Sequence, residues 1–297
     1  MTLRQHPRHP VVLVALDGSP AAATALPIAR TIAAQLGAET AILHVTEAPV
    51  LEANGRQHLH LKQAGAMDSD LHMRVGDPAT MILQATTEAT VALVVLTTHG
   101  RTVEQGRHLG RVAEAVIATT TQPILLVRPE ASAVPMHRTA GLRRLLLPLG
   151  GAPATMAALQ PVGELAARLD ASVDLLYVAN SDQDRPADIG GIAAPRYIDQ
   201  PQHEWPHWAS EVIERVHVAN TAWPSAVPLR VFVARGEIST EISNFAAAHE
   251  HDAIVMLRRE PVDLGQTPLL GAVLDTMPCP VLLVTAAEPV HLPETSP

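Results

Sequence analysis

The sequence predicts an α/β fold made of two repeated, doubly wound open parallel sheets, and three observations lead there. The chain repeats itself: Val12-Leu13-Val14-Ala15-Leu16-Asp17-Gly18-Ser19-Pro20 returns as Leu145-Leu146-Leu147-Pro148-Leu149-Gly150-Gly151-Ala152-Pro153. The runs Val11–Leu16, Ala41–Val45, Leu93–Leu96 and Ile124–Val127 are apolar throughout, which is the pattern of parallel strands covered on both faces. Helical stretches lie between them, and right-handed crossovers between parallel strands then put helices on both sides of the sheet.

The elements follow in order. Ser19-Pro20 opens a helix over Ala21–Gln35 with an N-cap hydroxyl and a proline at the first helical position, and Gly37 closes it. After the second strand the chain reads as a loop. Asp77-Pro78 starts the next helix in the same way as Ser19-Pro20, running toward Ala89. A third helix follows Gly110 and runs to about Thr120, where Gln122-Pro123 stops it and releases Ile124–Val127 as the last strand. Each repeat therefore reads strand, helix, strand, loop, strand, helix, strand, helix, strand. Ligands of such sheets bind at the carboxyl ends of the strands, where the winding reverses.

The second copy tracks the first with changing offsets: Val178 follows Val45 by 133 residues, Gly236 follows Gly76 by 160 and Pro280 follows Pro123 by 157. The jump of 27 marks an insertion at Asn180–Ser210, rich in Pro, Asp, Gln and aromatic residues. Pairing Gly271 with Gly110 makes the last helix of the second copy four residues shorter, about one turn. The expected domains are 1–130 and 142–287, joined by a linker at 131–141 and followed by a flexible tail at 288–297. The last strands, Ile124–Val127 and Val281–Val284, are apolar edges that need covering, and their pairing would make the two domains an intramolecular pseudo-dimer. A homodimer of the whole chain is compatible with this arrangement.

A chain of 297 residues suffices for two such cores. With 21 Lys+Arg against 30 Asp+Glu, the net charge of -9 repels a phosphate backbone and argues against nucleic acid as a partner. Met1 to Pro10 lacks the apolar stretch of a secretory signal, and runs such as Val91 to Leu96 fall far short of the roughly 20 residues that span a bilayer. Cys279 is the single cysteine, set between Pro278 and Pro280, and reads as a small packed side chain. A cytoplasmic location without membrane contact is the expectation.

Asp17 ends the first strand; Thr97-Thr98-His99-Gly100 leads through Gly110-Arg111-Val112-Ala113-Glu114 to Gln122-Pro123-Ile124-Leu125-Leu126-Val127; and Val75-Gly76-Asp77-Pro78 precedes the second helix. In this order of pieces, over nearly its whole length, the sequence closely resembles the universal stress protein family, as a tandem two-domain member. The resemblance implies the adenine nucleotide alpha hydrolase-like fold and a nucleotide site. Nucleotide-binding members carry Gly, two residues, Gly, nine residues, then Gly and Ser or Thr. The matching positions here are Thr97, Gly100, Gly110 and Arg111, so two match and two depart. Glycines let backbone N–H groups approach phosphate oxygens, and the last pair begins a helix whose positive end faces the anion. Arg111 could grip a phosphate bidentately, fill the pocket, or simply stand exposed on its helix.

By the same resemblance Asp17 would hold the ribose hydroxyls and the backbone of Val45 would meet the adenine edge. The plainer roles are helix capping for Asp17 and core packing for Val45. In the second copy Gly150 replaces Asp17, Leu257 replaces Thr97 and Glu260 replaces Gly100, so that half is expected to be a structural partner. The expected function is a cytoplasmic stress-response protein whose first domain binds ATP through Asp17, Val45, Gly100, Gly110 and Arg111, with at most slow hydrolysis. A tandem interaction scaffold that binds no nucleotide is the alternative.

A metal-dependent hydrolase is the minor alternative. His203-Glu204-Trp205-Pro206-His207 matches the spacing of a zinc protease helix, but Pro206 disrupts the helix that would put both imidazoles on one face. His58 and His60 alternate in a polar stretch and read as solvated. Trp205, Trp208 and Trp223 lie in or near the insertion and read as packing anchors rather than a partner surface. No P-loop and no nucleophile elbow is present.

Overall fold

The structure is a computed structural model that describes residues 10–49, 51–59, 61, 66, 70–88, 90–99, 109–129, 141–149, 159–179, 196–197, 223–258 and 268–285. The first half runs β1 (Val11–Ala15), α1 (Pro20–Ala23), α2 (Ala25–Leu36), β2 (Glu39–Thr46), α3 (Glu52–His58), β3 (Asp70–Val75), α4 (Pro78–Glu88), β4 (Val91–Thr97), α5 (Arg111–Thr119) and β5 (Ile124–Val127). The second half runs β6 (Arg144–Leu149), α6 (Leu159–Arg168), β7 (Ser172–Ala179), β8 (Arg196–Tyr197), β9 (Leu229–Arg235), α7 (Ile238–Ala248), β10 (Ala253–Arg258), α8 (Pro268–Thr276) and β11 (Val281–Thr285).

All eleven strands join one sheet in the order β3-β2-β1-β4-β5-β11-β10-β6-β7-β9-β8. Within the first half every pairing is parallel. The second half repeats the order as β9-β7-β6-β10-β11, also parallel. The halves meet where β5 and β11 pair antiparallel, with Leu125 opposite Leu282, so the strands expected to cover one another do so. This antiparallel seam turns the carboxyl ends of the two half-sheets to opposite rims.

Alternate residues of each strand enter different cores, as the pleat requires. Val12 and Val14 belong to the core that α1, α2 and α6 cover on one face. Leu13 belongs to the core that α4, α5, α7 and α8 cover on the other. Leu13, Ile42, Val94, Ile124, Leu146 and Ile254 are all fully buried, which accounts for the unbroken apolar runs in the sequence.

The helix signals act as their chemistry dictates. The Ser19 hydroxyl accepts the Ala22 N–H at 3.0 Å, with Pro20 at the first helical position. Gly37 adopts a left-handed conformation (φ 61°), and the N–H of Ala38 donates to the Ala33 carbonyl at 2.8 Å, closing a Schellman motif. The expected single helix is divided at Thr24, because Pro27 offers no N–H to the Ala23 carbonyl. Asp77 accepts both the N–H and the hydroxyl of Thr80 at the head of α4.

Three features differ from the sequence reading. The connection after β2 contains the short helix α3, stapled by an Arg56–Glu52 pair at 2.8 Å. The Asn180–Ser210 insertion contributes β8, which pairs antiparallel with β9 at the end of the sheet. The last helix of the second half is not shortened: α8 and α5 both have nine residues, and Pro268 stands at the position of Arg111 with the same 157-residue offset that relates Pro280 to Pro123. Proline preorganises a first helical turn, so the helix starts there and Gly271 lies inside it. The counterpart of Gly110 is therefore Thr267, not Gly271. Of the linker expected at 131–141 only Gly141 is among the described residues, and the tail at 288–297 lies outside them.

Candidate functional site

A cavity of about 360 Å³ opens at the carboxyl ends of β1, β2 and β4 in the first half. The sheet supplies its floor through Ala15, Leu43, Val45 and Thr97, and Asp17 stands on the turn leaving β1. The first turn of α5 makes one wall with Gly110, Arg111, Val112 and Ala113, while Pro78 and Ile82 of α4 make another. Strand order explains the position: β1 lies between β2 and β4, and the chain leaves these strands toward opposite faces, which opens a crevice at their ends.

Four of the five residues expected to form a site, Asp17, Val45, Gly110 and Arg111, thus line a single pocket. Gly100 lies outside the described residues. The sequence reading missed the apolar contribution of α4, Pro78 and Ile82, and the adjacent His99 and Thr98. Their signal was present: His99 immediately precedes Gly100, and Pro78 begins the helix already anchored by Asp77.

The helix wall is polar at its head. Gly110 is the N-cap of α5 and brings no side-chain acceptor to the first turn, whereas α1, α4 and α7 are capped by Ser19, Asp77 and Glu237. The α5 terminus therefore presents the positive end of its dipole to the cavity. Thr98, buried beneath it, ties the parts together: its N–H donates to Val127 at 2.9 Å, and its carbonyl accepts the Gly110 N–H at 2.8 Å. Arg111 adds a full positive charge on the exposed first turn.

At the opposite wall, Asp17 Oδ1 accepts the Ser19 N–H at 2.9 Å, so its carboxylate also braces the turn into α1. Gly18 holds φ +85°, and a Cβ there would fall 2.0 Å from Nε2 of His58. The His58 ring of α3 consequently lies directly on the β1–α1 turn, 5.5 Å between centroids from His44. Buried His44 pairs through Nδ1 with the Leu16 carbonyl at 2.7 Å. Because a carbonyl only accepts, Nδ1 carries the proton of this pair.

The second half uses the equivalent place differently. Gly150 and Glu260 lie outside the described residues. Arg258, the counterpart of Thr98, is buried and reaches into the other half: its guanidinium donates to the carbonyls of Ile117 at 2.7 Å and Gln122 at 2.8 Å in the first half. Trp223 anchors the end of the long connection, packing on Gly163 of α6 and donating Nε1–H to the Val227 carbonyl at 2.9 Å. Trp205, Trp208 and the 203–207 segment lie outside the described residues, among which no cluster of three or more His, Cys, Asp or Glu side chains could hold a metal ion.

The sequence matches the universal stress protein family twice, over residues 10–128 and 141–285. The chain belongs to the universal stress protein family. It is a tandem member, one family unit in each half of the sheet. A universal stress protein of Mycolicibacterium smegmatis is 33% identical over 135 residues, covering 40% of this chain and 45% of that relative. The matched stretch thus spans less than half of the relative's length.

Two solved structures share the tandem architecture. A universal stress protein from Archaeoglobus fulgidus aligns over 94% of this chain and 100% of its own, with a TM-score of 0.63 at 14% identity. A putative universal stress protein from Pseudomonas aeruginosa aligns over 94% of both chains, with a TM-score of 0.58 at 12% identity. At these identities the likeness establishes the universal stress protein fold. Among the described residues of this universal stress protein, no helix is long and apolar enough to cross a membrane.

Proposed function

We propose that this universal stress protein is a cytoplasmic stress-response protein that binds an adenine nucleotide, ATP, in the first-half cavity. The observation that carries the reading is the meeting of Asp17, Val45, Gly110 and Arg111 around one crevice of about 360 Å³, a size within the usual range for small-molecule sites. The adenine edge lies along the backbone of Val45 and the apolar side chains of Leu43 and Ile82. The ribose hydroxyls donate to Asp17, and the phosphates sit at the head of α5 with Arg111; Gly100, outside the described residues, is the glycine that the family resemblance adds to this site. Arg111 takes over the role of the short hydroxyl found at this position in nucleotide-binding relatives, offering two parallel donors to a phosphate. The function is binding, with hydrolysis slow at most.

The second half serves as the structural partner in an intramolecular pseudo-dimer. One observation favours the competing reading, a scaffold without nucleotide: Asp17 Oδ1 already accepts the Ser19 N–H. Calorimetric titration of the whole chain with ATP decides between them. The expected result is saturable binding that weakens about tenfold, or about 1.4 kcal/mol, in Asp17→Asn, a variant whose amide oxygen still braces the turn. Absence of both heat and thermal shift with the unaltered chain would overturn the nucleotide reading and favour the scaffold.

A further inference from the structure

We propose that Arg258 is a positioning residue for the first-half pocket, through which the second domain sets the pocket's affinity. The inference rests on the nucleotide reading above and adds its regulation. The starting point is direction. A helix that returns from one parallel strand to the next runs antiparallel to them, so α5 begins at the carboxyl rim of the first half-sheet and ends at its amino rim. The antiparallel β5–β11 seam places the carboxyl ends of β10 and β11 at that same amino rim. Arg258 and Thr285, paired across β10 and β11, therefore arrive where α5 stops.

Both side chains grip that end. Arg258 donates to Ile117 in the last turn of α5 and to Gln122 in the connection to β5, and the Thr285 hydroxyl donates to the Thr121 carbonyl at 3.2 Å. A cation at the carboxyl end of a helix complements its dipole and satisfies carbonyls that have no partner within the helix. The other end of the same nine-residue helix is the pocket wall of Gly110, Arg111, Val112 and Ala113. At roughly 1.5 Å per residue the gripped Ile117 lies only about 6–10 Å along the helix from the pocket wall, and a short helix moves as a rigid piece. The connection through β5 is equally direct, because Val127 accepts the N–H of Thr98 and Thr98 accepts the N–H of Gly110.

The reciprocal contact is weaker in kind. Arg128, the counterpart of Thr285, reaches from the end of β5 to the Asp275 carbonyl of α8, but in an exposed setting. Arg258 has no arginine opposite it, since Thr98 fills the equivalent place in the first half. The residue that would have floored a second pocket has become the clamp of the first.

Hydrogen-exchange mass spectrometry and ATP titration of the full chain test this with Arg258→Ala, Arg258→Lys and Thr285→Val. Arg258→Ala should raise exchange about fivefold at residues 109–116, well beyond the lost contacts, and weaken ATP binding by a similar factor, of the size usual for coupled sites. Arg258→Lys, which restores charge without bridging both carbonyls, should recover part of each effect. Thr285→Val should act in the same direction to a smaller extent, and stands in for Arg258→Ala if that variant fails to fold. Exchange that rises only at 117–122, with ATP affinity unchanged, would overturn the proposal. If the unaltered chain binds no ATP, the nucleotide reading falls, and exchange at 109–113 still decides whether the clamp reaches the pocket.

Discussion

The side-chain amide of Gln35 and the backbone of Leu142 form a closed two-way pair: Oε1 accepts the Leu142 N–H at 3.0 Å, and Nε2 donates to the Leu142 carbonyl at 2.9 Å. The same Nε2 also donates to the Leu169 carbonyl at the end of α6. One glutamine at the end of α2 thus pins the entry to β6 and the exit of α6, holding the two halves together on the face opposite α5. Gln35→Ala should lower stability by about 1–3 kcal/mol in urea denaturation, because buried backbone groups lose their partners. Gln35→Glu should cost more, since it turns an acceptor-only group toward two carbonyl oxygens.

Asp174 is a buried carboxylate of the second half. Burial alone would raise its carboxyl, but hydrogen bonds from His251 at 2.9 Å and Arg230 at 2.7–2.8 Å, together with their charge, hold it below the ordinary value. A carboxyl depressed in the folded state adds stability that is fully present above its unfolded value, near pH 4, and is lost as the pH falls through the folded value. Urea midpoints measured from pH 6 down to pH 2 should therefore fall in the acid range. Asp174→Asn should flatten that limb and cost about 3 kcal/mol at neutral pH, toward the lower end for a broken buried pair because Arg230 is half exposed.

Glu237 caps α7 by accepting the N–H groups of Ser239 at 3.1 Å and Thr240 at 2.7 Å. Hydrogen bonds from the Thr240 side chain and N–H, followed by those from the side chain and N–H of Ser239, bring its carboxyl down to about 2. A carboxyl-detected NMR titration should find Glu237 still ionised at pH 3. Glu237→Ala should cost about 1 kcal/mol, the usual worth of a cap, read as a lower thermal midpoint.

Cys279 is packed beneath the start of β11, and burial pushes its thiol up to about 12. The thiolate is the reactive form. Alkylation at pH 8 should therefore proceed only through unfolding, and its rate should rise with urea in step with the unfolding rate. Fast labelling of the native chain would contradict this packing.

Gly18→Ala should test the turn beneath the candidate ribose site. Its φ of +85° disfavours any side chain, and the added methyl would displace the His58 ring. A loss of about 1 kcal/mol is expected for the conformation alone, measured by denaturation, together with a changed His58 resonance in the NMR spectrum.

Much of this architecture could be read from the residues because its signals are local. Apolar runs marked strands buried on both faces, and Ser19, Gly37, Asp77 and Gly110 marked helix ends through groups within four residues of themselves. The parts that escaped depend on distant partners. Asn54 and Gly55 are poor helix formers, yet α3 exists where Gly55 accommodates Met73 of β3, whose sulfur would lie 2.5 Å from a Cβ. β8 is two residues long and is held by its pairing with β9, which no period reveals. Gly271 suggested a helix start, but Pro268 sets the first turn and the glycine is absorbed inside it. Asp17, Val45, Gly110 and Arg111 meet around one cavity because strand ends and helix heads follow one another along the chain; the errand of Arg258, whose partner Ile117 is 141 residues away, left no local trace.

The covalent joining of the two units has a consequence for what Arg258 is allowed to be. In a symmetric dimer of identical subunits, each residue occupies two related places at once, so an arginine serving as a clamp on the neighbour would also replace the small hydroxyl beneath its own cavity wall. Fusion removes that bind. Thr98 and Arg258 occupy matching positions in the two units, yet each is committed to one task, and a single gene can thereby hold a specialised pair that no self-associating copy could assemble.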